Sequence, residues 1–275
     1  MRHCLIALLV LLNGLTANGR DYNSQILKAI EEMPTGGTYA KYRKELPDSK
    51  RFDDLYQTVA DLDSAIGTSI GGKLKVNPDK ASKFSFCSSA TYLLFGKVID
   101  DLGVIKDKEL AKAVADVGDK NAVIHGKLDG VGIFGHWNAD GPGTAVLFNK
   151  LDLGPNFTRY AKAKPGDFLK IWWNENIGKG EQGHLVVFLG QSEDGKSIQV
   201  WSSQAKNSDG TSGYGRMWVD KSRIKRTLFS RLERPENLKR WLSLPESERT
   251  SDYLVRIREA GSTTAELEDV TGAND

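Results

Sequence analysis

Three apolar stretches in the second half of the chain constrain the fold more than any other feature. They are FLKIWW at 168–173, HLVVFL at 184–189 and IQVWSS at 198–203, and polar turn sequences separate them. Runs of this length, rich in β-branched and aromatic residues and bounded by Gly, Asp, Asn and Ser, are typical of strands. Shorter candidates follow at 216–219 and 227–232. Short turns join antiparallel neighbours, so the sequence predicts an antiparallel meander.

The first half of the chain shows helical periodicity instead. Apolar residues recur at helical spacing in 23–33 and 51–66, and another helical segment covers 106–117. A further helix begins near Cys87, because the two serines after it suit a first turn and the next residues supply an apolar face. Helices followed by an antiparallel sheet predict an α+β fold.

The two ends of the chain differ from the middle. Residues 1–19 contain the unbroken apolar run CLIALLVLL followed by small residues, which is the pattern of a secretory signal peptide. The run is about half the roughly 20 residues that a transmembrane helix needs, so we expect no membrane span and a secreted or periplasmic protein. Residues 20–235 are the predicted folded domain. Residues 236–275 are predicted to be a charged helix that leads into a disordered tail.

Charge and spacing argue against two classes of partner. The chain has 38 basic and 36 acidic side chains, whereas a nucleic-acid-binding protein usually has a marked basic excess. No spacing of histidine, cysteine and carboxylate residues matches a zinc or calcium site. We therefore expect no nucleic acid, no metal and no cofactor, and we expect the protein to be a monomer.

Export changes the meaning of the cysteines. There are two, Cys4 and Cys87, and removal of the signal segment leaves Cys87 alone. Exported proteins use cysteine mainly in disulfide pairs, so a single thiol is either a reactive group or a small buried apolar side chain. Composition does not separate these two readings. The position at a helix N-terminus favours the reactive thiol, because backbone N–H groups and the helix dipole stabilise a thiolate.

A reactive thiol needs a base, and His184 is the best-placed histidine. His3 lies in the signal segment, while His125 and His136 lie in less ordered sequence contexts. His184 follows Gly183 and begins the most apolar strand, where a side chain is held rigidly at the rim of a sheet. A neutral imidazole can take a thiol proton near neutral pH.

Three stretches, in this order, resemble the NlpC-type and CHAP-type peptidases and amidases of the papain-like clan. FCSSATYLLF resembles their nucleophile helix, KPGDFLKIWW their PGD turn and strand, and GHLVVFLG the strand that carries their general base. The resemblance covers roughly residues 84–204. It implies a papain-like core in which the nucleophile helix packs on the sheet, with Cys87 as nucleophile and His184 as base. It also implies a peptide of cell-wall peptidoglycan as substrate, cut either within the stem peptide or at the sugar–peptide amide.

The chain departs from these families around the third catalytic residue. Phe86 stands where NlpC-type enzymes usually have aspartate, and no histidine follows His184. The CHAP pattern places the third residue at Gln204 or Ser202. A side chain there would accept a hydrogen bond from the imidazole and hold its tautomer. The alternative interpretation of both residues is a polar strand end that enters a loop.

Residues 128–143 are rich in glycine and are predicted to form a long loop that covers the substrate groove. Trp137 and Asn138 in this loop, and Trp201 on the third strand, are candidate substrate-binding residues. Tryptophans more often belong to the core, and a core position is the alternative for Trp137 and Trp201. The predicted function is an exported cysteine hydrolase that cleaves an amide bond through a thioester. The alternatives are acyl transfer at the same site and a wall-binding module without catalysis.

Overall fold

The computed structural model describes residues 21–273, and the predicted signal peptide at 1–19 lies outside this range. Seven helices of the described chain precede its main sheet and three follow it. The first seven are α1 (Asn23–Ile30), α2 (Asp53–Ala65), α3 (Cys87–Leu102), α4 (Lys108–Ala115), α5 (Lys120–Ile124), α6 (Gly132–Asn138) and α7 (Gly143–Leu151). The last three are α8 (Arg240–Ser243), α9 (Asp252–Ala260) and α10 (Thr264–Thr271).

Four short strands accompany the first helices, and six strands form the main sheet. The short pairs are β1 (Thr38–Tyr39) with β4 (Phe84–Ser85), which is parallel, and β2 (Ile66–Thr68) with β3 (Leu74–Val76), which is antiparallel. The main sheet contains β5 (Asn156–Phe157), β6 (Phe168–Trp172), β7 (Gly183–Gln191), β8 (Ser197–Gln204), β9 (Gly213–Asp220) and β10 (Arg226–Ser230). Its spatial order is β5-β10-β6-β7-β8-β9, and every neighbouring pair is antiparallel. The predicted α+β class is confirmed.

The main core lies between α3 and one face of this sheet. Leu185, Val187 and Trp201 belong to the same buried cluster as the apolar residues of α3. Their neighbours Val186 and Val200 belong to a second cluster on the opposite face. Alternating side chains point to opposite faces of a strand, so β7 and β8 are buried on both sides. Each fully buried aliphatic side chain stabilises the fold by about 1.5–3 kcal/mol, and this packing holds the start of α3 against the strands.

Two segments differ from the sequence-based prediction. The glycine-rich stretch predicted as a loop contains α6, because Phe134 and Trp137 are buried in the main core. The predicted disordered tail contains α10, whose capping box joins Thr263 and Glu266 and whose Leu267 is buried. Most residues of these two segments are small or polar, so composition predicts no regular structure. The few apolar side chains in them are buried, and this burial stabilises the helices. No helix within residues 21–273 is long and apolar enough to cross a membrane.

Candidate active site

Cys87 is the first residue of α3, as its sequence context predicts. Phe86 is extended at φ −122° and ψ 170°, and its backbone N–H donates to Ser89 Oγ at 3.0 Å, which caps the helix start. The carbonyl of Cys87 accepts a hydrogen bond from Thr91 Oγ1 at 2.9 Å. Cys87 is only half-buried. The sulfur is therefore fixed at the positive end of a helix dipole and stays within reach of solvent.

Opposing influences set the pKa of the Cys87 thiol. Burial raises it, which is the largest single influence, because a thiolate loses hydration. A hydrogen bond from His184, the positive charge of that imidazole, the backbone N–H of Leu185 and the charge of Lys170 all lower it. The net result is a pKa of about 7, below the ordinary value of 9.0. A substantial fraction of the sulfur is therefore a thiolate at neutral pH.

His184 lies at the start of β7, where its neighbours hold the ring. It pairs with Ile171 of β6 in the sheet register and is buried. Its imidazole stacks on the indole of Trp173, with ring centroids 6.4 Å apart and planes inclined by 29°. The guanidinium of Arg223 also packs over this indole, 5.7 Å from the ring centroid. Packing of this kind leaves the imidazole little freedom beside the thiol.

Within the described chain, Gln204 has a buried acceptor without a partner, on the strand next to that of His184. The register pairs Val187 with Trp201. Extended by three residues along both strands, it brings Gln204 opposite His184. Its Nε2 donates to Asn207 Oδ1 at 2.9 Å, whereas its buried Oε1 has no partner among the described residues. A buried acceptor without a donor is unfavourable, so an imidazole N–H is a suitable partner.

Ser202 has a different environment. Its hydroxyl donates to the carbonyl of Leu185 at 2.8 Å and lies 3.5 Å from the carbonyl of Cys87. The proton of Ser202 is therefore engaged with the backbone of β7, and the side chain links that strand to the start of α3. This contact supports the position of Cys87 rather than the orientation of the imidazole.

A buried ion pair, which sequence reasoning missed, lies beside the site. Lys170 Nζ contacts Glu181 Oε1 at 2.6 Å, and the two side chains are only 14% and 3% exposed. Glu181 also accepts hydrogen bonds from Trp172 Nε1 at 3.0 Å and from the backbone N–H groups of Gly141 at 2.7 Å and Gly178 at 2.8 Å. A lysine inside the apolar stretch FLKIWW was the available signal, because buried lysines are rarely unpaired.

The ion pair also explains the glycine before the imidazole. A Cβ atom at Gly183 would lie 2.5 Å from both Lys170 Nζ and Glu181 Oε1, closer than non-bonded atoms approach. Any side chain at this position would displace the pair. The Gly-His sequence thus has a steric cause here, and the Lys170 charge that it accommodates lowers the pKa of Cys87.

Tyr39 is a second residue that sequence reasoning missed. It lies on β1 and pairs with Ser85 of β4, two residues before Cys87. The negative charge of a Cys87 thiolate and burial both raise the pKa of Tyr39, so its phenol stays protonated. No local signal in the sequence could connect Tyr39 with a cysteine so distant along the chain. A neutral phenol near the thiolate is a hydrogen-bond donor for the site.

A cavity of about 330 Å³ opens beside Cys87 and contains part of the predicted substrate-binding set. Asn138 lies on its wall, where its Oδ1 accepts a hydrogen bond from Ser88 Oγ at 2.6 Å. Trp137 also reaches the wall, but its ring is buried and stacks on Phe95 at 4.7 Å. Trp201 is a core residue and does not line the cavity.

A larger cavity lies elsewhere in the described residues. It has a volume of about 920 Å³ and lies between α4, α6 and the segment after α8, with Asp116, Glu246 and Arg249 among its lining residues. It contains neither Cys87 nor any other residue of the thiol site. Volume alone does not identify a reactive centre, so the smaller cavity is the candidate active site.

Comparisons with known proteins leave the site to be interpreted from its own geometry. No model of a protein family, no curated protein and no solved structure matches this chain. Within residues 21–273 no group of three or more His, Cys, Asp and Glu residues could hold a metal ion. The site consists of the half-buried thiol of Cys87 at a helix N-terminus, the imidazole of His184 that lowers the pKa of this thiol, and an adjoining cavity.

The lowered pKa gives a testable pH dependence. We expect alkylation of Cys87 by iodoacetamide to rise with pH around a midpoint of about 7, because only the thiolate reacts. Stopped-time labelling followed by mass spectrometry measures this rate at each pH. The same protein unfolded in urea is the control and should show a midpoint near the ordinary value of 9.0. A folded protein with the same midpoint as the unfolded chain would exclude an activated thiol.

Proposed function

We propose that this protein is a papain-like cysteine hydrolase that cleaves an amide bond in a peptidoglycan peptide. The observation that carries the proposal is the lowering of the Cys87 pKa by His184 at the mouth of a cavity. The packing of α3 on an antiparallel sheet, with the histidine on β7, supports a papain-like arrangement. The peptide substrate and export to the periplasm or beyond rest on the resemblance and the signal-like segment 1–19.

The first half-reaction forms a thioester. The Cys87 thiolate attacks the carbonyl carbon of the amide, and the carbonyl oxygen takes up the negative charge. The His184 imidazolium then donates its proton to the amide nitrogen, the C–N bond breaks, and the amine leaves. The acyl group remains on the sulfur and the imidazole is neutral.

The second half-reaction restores the enzyme. His184 takes a proton from water, whose oxygen attacks the thioester carbonyl. The C–S bond breaks, the thiolate leaves as the nucleophile for the next cycle, and the carboxylic acid is released. His184 keeps the proton, so the thiolate–imidazolium pair forms again. This sequence uses one water for each amide bond and needs no group that the chain itself lacks.

Three neighbouring groups assist these steps. The backbone N–H of Cys87 at the start of α3 and the phenol of Tyr39 are the donors for the oxyanion. Removing one such donor typically lowers the rate by about 10²–10³-fold. In this proposal the Oε1 of Gln204, which has no other partner in the described chain, takes a hydrogen bond from the second imidazole nitrogen during the reaction; the engaged hydroxyl of Ser202 supports Gln204 over Ser202 for this role.

Digestion of purified peptidoglycan tests the function. Protein without residues 1–19 is incubated with insoluble walls, beside a Cys87→Ala variant, and the soluble products are identified by mass spectrometry. We expect new peptide fragments from the wild type only, because the variant lacks the sulfur that forms the thioester. The fragment masses identify the bond that is cut.

Walls with different stem peptides and cross-links broaden this test. The Cys87→Ala variant replaces a half-buried side chain with a smaller one and should keep the fold, which circular dichroism checks. Equal fragments from both proteins would remove Cys87 from the reaction. No fragments from any wall type would overturn the substrate assignment.

A further inference from the structure

The charges around the Cys87 cavity nearly cancel, with one exception. Apart from the cysteine, its ionisable lining residues are Asp140, Lys170 and Glu181. Lys170 and Glu181 form the buried ion pair at 2.6 Å and neutralise each other. Thiolate and imidazolium likewise form a neutral pair. Lys170 and Arg258 both act on Asp140, but each is already paired with another carboxylate, so Asp140 is the negative charge left over when the pairs are counted.

Asp140 is also free to bind a ligand. It is exposed, and its carboxylate has no hydrogen bond or ion pair with any residue of the described chain. Burial and the charge of Glu181 raise its pKa above the ordinary value, although the charges of Lys170 and Arg258 lower it. Its backbone N–H contacts the carboxylate of Asp129, which is buried and paired with Arg258 at 3.0 Å. The loop is thus anchored while the Asp140 side chain stays available.

Asp140 lines two cavities, not one. Together with Asn138 it lines a second cavity, of about 350 Å³, whose other residues include Phe86 and Asp129. A substrate that crosses from the Cys87 cavity into this space must pass the Asp140 carboxylate. Arg258 also lines this second cavity and pairs with Asp129, whose pKa burial raises to about 7. Asp129 is therefore only partly charged near neutral pH and already holds a cation, so it does not compete for the same ligand group.

We propose that Asp140 is a specificity residue that binds a positively charged group, an ammonium or guanidinium, of the substrate next to the amide bond to be cut. The inference rests on the proposed function, since it concerns the substrate of the Cys87 site. A carboxylate on the wall of a cleft attracts a cation more strongly than one on an open surface, because the walls of the cleft focus its field. An anionic group at the same place would face Asp140 without compensation.

Charged thiol reagents test this proposal without any hydrolysis. Methanethiosulfonates transfer an alkylthio group to a thiolate: a disulfide forms with Cys87 and methanesulfinate leaves. The probes are the trimethylammonioethyl reagent, a cation, and the sulfonatoethyl reagent, an anion. Their rates with the protein at about pH 8 and low salt are divided by their rates with free cysteine, which removes intrinsic reactivity. Mass spectrometry follows both reactions.

We expect the corrected rate of the cation to exceed that of the anion by about 10-fold in the wild type. Asp140→Asn should bring this ratio close to one, and Asp140→Lys should invert it. The matched control is Asp194→Asn, on the exposed turn between β7 and β8, which should leave the ratio unchanged. A wild-type preference for the anion, or a ratio that Asp140→Asn does not change, would overturn the proposal.

The readout separates this inference from the proposed function. The reagents report the charge at Cys87 whether or not the protein hydrolyses peptidoglycan. A protein that digests walls but reacts equally with both reagents retains its function and loses the specificity assignment. A protein that shows the Asp140-dependent preference but digests no wall retains a cation site beside a reactive thiol and loses the substrate assignment.

Discussion

Replacing His184 with alanine should raise the pKa of Cys87 from about 7 to above its ordinary value of 9.0. The reason is that the hydrogen bond and the positive charge of the imidazole lower this pKa, whereas burial raises it and remains in the variant. A shift of two pKa units corresponds to about 2.7 kcal/mol and reduces the thiolate at neutral pH to about 1%. Alkylation by iodoacetamide near neutral pH should therefore slow by about 50-fold or more.

Hydrolysis should fall further than alkylation in the same variant. Without His184 the leaving amine receives no proton and water has no base, and general acid–base catalysis of this kind contributes about 10²–10⁴-fold. Alkylation measures the loss of thiolate, and fragment release from peptidoglycan measures the additional loss of acid–base catalysis. The matched control is His125→Ala, since His125 is exposed and contacts Tyr56 Oη at 3.0 Å. An alkylation profile of His184→Ala that coincides with that of the wild type would remove His184 from the site.

The Asp167→Ala substitution should destabilise the protein by about 3–5 kcal/mol. Asp167 is fully buried in the PGD turn, and its carboxylate accepts hydrogen bonds from Asn23 Nδ2 at 2.8 Å and from the backbone N–H of Lys164 at 2.7 Å. It also accepts two from Arg231, through Nε and Nη2, each at 2.8 Å. The variant leaves the guanidinium, which is only 11% exposed, without its partner.

Urea unfolding near neutral pH, monitored by tryptophan fluorescence, measures this effect. The matched control is Asp194→Ala, an aspartate in an exposed turn of the same sheet, which we expect to cost less than about 1 kcal/mol. Equal stabilities of the two variants would mean that the turn carboxylate does not hold α1, β6 and β10 together. The conformation of the PGD turn is thus accounted for by structural contacts alone.

Most strands and helices could be predicted because their signals are local. The strand predicted at 168–173 is observed as Phe168–Trp172, and the helix predicted at 51–66 as Asp53–Ala65. Alternation, helical spacing and turn residues all lie within a few positions of one another. The helices α6 and α10 were not predicted, because what stabilises them is the burial of Trp137 and Leu267 against residues distant in sequence.

Local sequence signals likewise predicted part of the candidate site, and contacts between distant residues decided the rest. A single cysteine at a predicted helix start and a histidine at a predicted strand start could be found from sequence, and the fold brings Cys87 and His184 together. Sequence left the choice between Gln204 and Ser202 open. The buried, unpartnered Oε1 of Gln204 and the backbone contact of Ser202 favour Gln204 in the function that we propose.

The sequence by itself determined the α+β order of elements and the two residues that could form a thiol–imidazole pair, because periodicity, turns and residue chemistry are properties of short segments. Only the tertiary structure decided what surrounds that pair. The Lys170–Glu181 ion pair, the phenol of Tyr39 and the free carboxylate of Asp140 come from separate elements. Charges and dipoles of this kind act through space, where distance and burial, rather than position along the chain, set the strength of each interaction.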